Sequence, residues 1–204
     1  MIYVTIILIA SVIIGITNGA FAFSAYDESV WRIVFCVSVS VISAIAIDSV
    51  FATIIRWLLP KKWFSIEKQR FAAGKGECRF YEKLGVKKWK DKVIELGAFT
   101  GFRKNKVADP KNNEYVARYI LEANYGIAVH IACIFCGYLV CFIFPTHWYR
   151  VGIPVGFVNM VLNALPLIVL RYNLPKLHSL YRFNARRNAR NKAEDGRKES
   201  ASVA

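Results

Sequence analysis

The sequence predicts an all-α fold: a polytopic membrane helix bundle of about four transmembrane helices, with interfacial helices in a basic cytoplasmic loop. Three observations predict it. Apolar residues make up 55% of the 204 residues and aromatics 14%. They come in blocks rather than at an amphipathic period. The charge avoids those blocks, with 16 of the 28 Lys and Arg between Lys61 and Arg118 and nine more between Arg171 and Lys198.

Four blocks reach the roughly 20 residues that a hydrocarbon core demands: about Ile2 to Ser24, Ile33 to Leu59, Ile127 to Phe144 and Val151 to Leu170. The first has a competing reading as a signal peptide, because Ala20-Phe21-Ala22 resembles a small-x-small cleavage site. No Lys or Arg precedes that run, which favours a span. The chain therefore divides into a helical hairpin (1–60), a basic cytoplasmic or interfacial region (61–121), a second hairpin (122–173) and a basic tail expected to be disordered (174–204). Within the second region, Trp63, Phe64 and Phe71 interleave with Lys and Arg as in an interfacial helix, broken by Gly74 and Gly76. Phe80 to Asp91 reads on physical grounds as a further such helix anchored by Trp89, and a loop with Gly101, Pro110 and Asn112-Asn113 follows. Glu114 to Glu122 then starts a helix that runs into the third span.

An even number of spans puts the middle region and the tail on one side, and their positive charge makes that side cytoplasmic. The loops around Asp27 and His147 face outward. The net charge of +14 is accounted for by this bias and by anionic lipid, and no nucleic-acid-binding signature is present. Cys133 and Cys136 form a C-x-x-C inside a span, with no second pair or nearby His set to complete a metal site. No metal is expected.

The fourth block carries Asn159, Asn163 and Pro166 and ends in Arg171-Tyr172-Asn173. Amides without partners in hydrocarbon cost several kcal/mol, so Asn159 and Asn163, on one helix face, should meet other helices or a wet cavity. His130 lies eight residues past Glu122 and Asn163 eight before Arg171. Both therefore sit about 12 Å inside the same boundary. Asp48 reaches similar depth in the second span. Glu122, Asn124, Tyr125 and His130 on one helix facing Asn159, Asn163, Arg171 and Asn173 on another make a polar cluster open to the cytoplasm. Such a cluster suits a reaction between an amphiphile in the bilayer and an anion outside it.

The stretches FYEKLGVKKWKD (Phe80 to Asp91), GFRKNK (Gly101 to Lys106), EYVARYILEANYG…H (Glu114 to His130) and N…N..P…RYN (Asn159 to Asn173) resemble the bacterial glycosyl-4,4'-diaponeurosporenoate acyltransferase family. The resemblance implies a small polytopic enzyme of the bacterial cytoplasmic membrane that esterifies a sugar hydroxyl of a glycosylated membrane lipid, such as a carotenoid glycoside, with a fatty acyl group. The chain departs from the family pattern at Ile94, at Ile127, where an acidic residue is expected, and at Leu170 and Leu174, which flank Arg-Tyr-Asn in place of Gln and Arg.

Acyl transfer to an alcohol needs a base on the hydroxyl, a stabilised leaving group and donors for the oxyanion. His130 is the in-span group with a suitable ordinary pKa. Glu122 is expected to orient it or act through water, and Asn163 to donate to the oxyanion. Arg171 with Lys87, Lys88 and Lys90 is expected to hold the phosphates of an acyl-CoA or acyl carrier donor, a co-substrate and not a cofactor. Asp48, Asn159, Tyr172, Asn173, Trp89, Lys90 and Asp91 complete the substrate-binding set. A non-catalytic membrane scaffold or diverged paralogue, and less so a small lipid transporter, are the alternatives from other classes, and the oligomeric state is not legible. The charge distribution predicts that an engineered Ser179→Cys is shielded from an impermeant thiol reagent added outside the cell, while Glu28→Cys is labelled.

Overall fold

A computed structural model describes residues 2–25, 29–67, 69–93 and 109–203. Asp27, Glu28, Ile94 and Gly101 to Lys106, all invoked above, lie outside the described residues. The fold is an all-α membrane bundle: helices α1 (Ile2–Ala25), α2 (Val30–Leu58), α3 (Lys75–Lys83), α4 (Val86–Trp89), α5 (Asn113–Cys136) and α6 (Ile153–Val203), with no strand among the described residues. Three helical segments, Val30–Leu58, Asn113–Phe142 and Pro145–Lys198, are long and apolar enough to cross a membrane, with mean hydropathy of 2.0 or more. Helix α1 packs beside them, and its apolar stretch Val4–Ala20 is shorter.

These helices bury one face and leave large apolar side chains outside. Trp57 is 84% exposed, Phe142 77% and Phe135 71%. In water such surfaces would aggregate; against lipid tails they are the expected exterior.

Sequence sets the boundaries. Helix α5 starts where the Asn112 side chain accepts from the backbone N–H groups of Glu114 and Tyr115 at 3.0 and 3.1 Å, capping two donors that otherwise lack partners. At its far end the helix tightens into a 3-10 stretch, Gly137–Phe142. Here α6 comes close: a Cβ built on Gly152 would lie 2.8 Å from the Cα of Cys141, and one on Gly156 2.7 Å from the ring of Tyr138. Small residues permit that approach in membrane bundles.

Helix α6 spans 51 residues and contains Pro166 and Pro175. Lacking an N–H, Pro175 leaves the Arg171 carbonyl without its helical partner, and the N–H of Ala73 donates to that carbonyl at 3.4 Å. The basic middle region is thus tied to α6 by a bond that the proline makes available. Beyond it the helix continues through 174–203, where the sequence reading expects disorder. Alanines and long charged side chains favour helix there, and Arg190 pairs with Glu194 one turn on at 3.0 Å.

The expected interfacial helix around Trp63 to Phe71 is instead two short 3-10 turns, Lys61–Phe64 and Gln69–Phe71. They are pulled inward rather than laid on lipid. Phe64 is 1% exposed and stacks on Tyr125 with ring centroids 4.0 Å apart, and the Asn124 amide donates to the Phe64 carbonyl at 3.0 Å. Phe64→Ala should therefore cost roughly 3 kcal/mol of stability, read as a lower melting temperature in detergent, whereas Trp63→Ala at a half-exposed position should change it little.

Candidate active site

At membrane depth, α2, α5 and α6 bring together Asp48, His130, Asn159 and Asn163. The Asn163 amide nitrogen donates to Asp48 Oδ2 at 2.8 Å and to the Asn159 carbonyl at 3.1 Å. Asn159 Nδ2 donates to Asp48 Oδ1 at 3.1 Å and approaches the Cys133 carbonyl at 3.4 Å. Both Asp48 oxygens therefore accept from amides. His130 Nδ1 lies 2.9 Å from Asn163 Oδ1.

This pattern fixes the histidine. With both amide hydrogens of Asn163 directed at Asp48 and Asn159, its oxygen is the atom left for His130. Nδ1 must then be the donor, and the neutral imidazole carries its lone pair on Nε2. Asn163 meets the ring through its oxygen, with its amide nitrogen turned to Asp48 and Asn159. Glu122, expected at the mouth of the site eight residues before His130, pairs with Arg56 of α2. Its distance from His130 follows from helical rise, about 12 Å.

Close packing protects the arrangement. A Cβ on Gly137 would lie 2.2 Å from Asn159 Nδ2. Any larger residue there displaces the amide that holds Asp48.

Further along α6, around Arg171 and Tyr172, lies a second group. Arg171 Nε and Nη2 donate to the two Glu77 oxygens at 2.6 and 2.7 Å, a bidentate tie. Tyr81 Oη donates to the same carboxylate. Buried Tyr172 donates to Glu82 Oε1 at 2.9 Å, and Lys87 pairs with Glu82 at 2.8 Å. Lys176 Nζ sits 4.1 Å from the centre of the Tyr172 ring. Trp89 packs into this cluster with Tyr81, Val86 and Tyr172, its indole N–H donating to the Leu84 carbonyl at 3.1 Å. It is held by protein rather than anchored in the interface. Gly85, at φ 70, makes the left-handed turn that lets α4 fold back on α3. Lys90 and Asn173 are half-buried nearby along the chain and Asp91 is exposed.

The structure thus divides the set read from sequence. Asp48, His130, Asn159 and Asn163 form one cluster; Trp89, Arg171 and Tyr172 belong to the other, about two helical turns away along α6. Ile127, Leu170 and Leu174, three of the departures from the family pattern, pack into a single apolar core. An unpaired charge at any of the three would be buried in that core. Glu77 and Tyr81 escaped the sequence reading. Their signal was an acidic residue four before a tyrosine in a strongly basic region, where a carboxylate finds a cation.

Arg171 holds the Glu77 carboxyl down to about 2, from an ordinary value of 4.5, outweighing partial burial. The tie's contribution is whole above about 4.5 and is lost as pH falls toward about 2. Hydrogen exchange of α3 in detergent should therefore accelerate across that acid window in the wild type, and a Glu77→Gln variant should show the faster exchange already at neutral pH.

No curated protein and no solved structure gives a significant match. The family model for glycosyl-4,4'-diaponeurosporenoate acyltransferase (CrtO) matches residues 60–183, a stretch that holds α3 to α5 and α6 through the whole Arg171 group. Its name describes acyl transfer to a glycosylated carotenoid. With well over half the chain matched, the protein belongs to the glycosyl-4,4'-diaponeurosporenoate acyltransferase family.

Proposed function

We propose that this protein transfers a fatty acyl group from a phosphate-bearing thioester donor to a sugar hydroxyl of a glycosylated membrane lipid, with His130 as the general base. The observation that carries the reading is the line from Asp48 through Asn163 to His130, because it sets the tautomer that a base requires. Nε2 takes the proton of the sugar hydroxyl as its oxygen attacks the thioester carbonyl. The tetrahedral adduct collapses, the carbon–sulfur bond breaks, and the imidazolium returns the proton to the departing thiolate. Asp48 favours the imidazolium through the intervening amide. Asn163 is a positioning residue.

The charged end of the donor belongs at the other group. Arg171 is engaged with Glu77, so the phosphate contacts fall to the lysines. Burial, then the like charges of Lys90 and Lys87, holds the Lys176 ammonium below its ordinary value. An anion bound at Lys90 and Lys176 relieves their repulsion, with Lys87 kept on Glu82. The charge distribution supports this end of the bundle as cytoplasmic and the protein as multi-pass in the bacterial cytoplasmic membrane. The acceptor's own chemistry is read from the family name alone.

Lipid mass spectrometry of cells with and without the protein should show one glycosylated lipid class gaining the mass of one fatty acyl group; if no class shifts, the reading fails. In membranes of equal protein content, His130→Ala should lower transfer by about a hundredfold or more. Lys90→Gln should raise the apparent donor KM by about tenfold if its contact is worth about 1.4 kcal/mol, leaving kcat nearly intact.

A further inference from the structure

A half-open crevice, about 350 Å³ counting the space it opens onto, runs between α1, α2 and α6, lined by Ile7, Ala10, Ser11 and Ile14 from the first, Val41, Ala44 and Ile45 from the second, and Val155, Val158, Asn159 and Leu162 from the third. Its walls are apolar except at one end. Val41, Ala44 and Asp48 share a face of α2 at helical spacing, so the crevice runs along α2 straight toward Asp48. On α6, Asn159 lines it and donates to Asp48. Asn163, the next residue after Leu162, touches His130. Ala10, Ser11 and Ala44 open the slot by being small, and β-branched neighbours narrow its sides. The Ser11 hydroxyl donates to the Ile7 carbonyl at 2.7 Å, within its own helix, so it adds little polarity.

We infer that this crevice seats the fatty chain of the acyl donor, with the reacting carbonyl at the Asp48 end; this rests on the acyl-transfer reading above. The crevice is apolar and is walled by the spans α2 and α6 together with the shorter apolar helix α1, so its occupant is a hydrocarbon chain. Donor and acceptor both have one. In the acceptor a sugar ring separates the apolar chain from the reacting hydroxyl, so that chain starts a ring's width from the base. The acyl chain starts at the reacting carbonyl itself. A slot that abuts Asn159 therefore fits the second geometry. Ile7 to Ile14 mark out about 10 Å of depth, enough to grip the carbonyl-proximal part of a flexible chain while the remainder passes sideways into the bilayer.

The test reads the acyl composition of the product and the position of a probe. Ala10→Leu and Ser11→Phe each shorten the slot from α1, a helix that carries none of Asp48, Asn159 and His130. With mixed butanoyl and palmitoyl thioesters, the first too short to fill the slot, both variants should shift the product toward butanoyl by about tenfold, the effect of about 1.4 kcal/mol of lost fit, with acceptor KM unchanged. An unchanged acyl ratio from active variants, or a rise in acceptor KM instead, overturns the inference while leaving acyl transfer standing. A palmitoyl-CoA carrying a mid-chain diazirine, photolysed with the wild type in phosphatidylglycerol vesicles, should label peptides Ile7–Ile14 and Val155–Leu162 more than a diazirine phospholipid does. Equal labelling means annular lipid only and overturns it. Selective labelling without any turnover supports the seat and removes the acyl-transfer reading.

Discussion

The carboxyl group of Asp48 sits in the membrane-spanning part of the bundle, where a lone charge costs about 2.5–3.5 kcal/mol on the insertion scale. Its two oxygens accept from Asn163 and Asn159 of α6. Much else follows from meeting that requirement. Two amides on one face of α6 must point at α2; α5 must approach closely enough for the Cys133 carbonyl to reach Asn159; and position 137 must lack a side chain so that Asn159 has room. With the nitrogen of Asn163 committed to Asp48, its oxygen turns to His130. A packing obligation in hydrocarbon becomes an orientation imposed on an imidazole.

The two ends of the bundle handle charge differently. At depth, hydrogen bonds between amides and one carboxyl group hold the helices and the surroundings are apolar, which strengthens each contact and penalises each unmade one. At the basic end, ion pairs carry the structure: Glu77 with Arg171, Glu82 with Lys87. These clamp α3 and α4 onto α6, and the Ala73 contact to the carbonyl exposed by Pro175 adds a backbone tie. A donor with a charged head and a fatty chain matches this division, head among lysines and carbonyl near His130. The apolar core containing Ile127, Leu170 and Leu174 beside it keeps the two environments distinct.

The bundle and the depth of its polar residues were legible because hydrocarbon makes both visible in composition. Equal spacing from the boundary placed His130 and Asn163 at one level, and they meet. What sequence did not reveal was pairing. Glu122 was placed at the mouth of the site by its spacing from His130, and its ion pair with Arg56 of α2 is a contact set by helix packing rather than by spacing. Arg171 looked available to a phosphate, and Glu77 from 94 residues away along the chain occupies it. Phe64, Phe71 and Trp89 carried an interfacial composition but are turned inward by Tyr125 and Tyr172, aromatic partners supplied by distant segments. Composition reports affinity for an interface and is silent on whether protein or lipid provides it.

The central claim is that Asn163, held by Asp48, fixes the tautomer of His130. The chain has three histidines, so replacing His147 and His178 leaves one to observe. Nitrogen-15 NMR of that protein in bilayers near neutral pH should show a neutral ring protonated at Nδ1, reverting to a tautomer mixture in an Asn163→Leu background. A ring protonated at Nε2, or a spectrum indifferent to Asn163, would contradict the account.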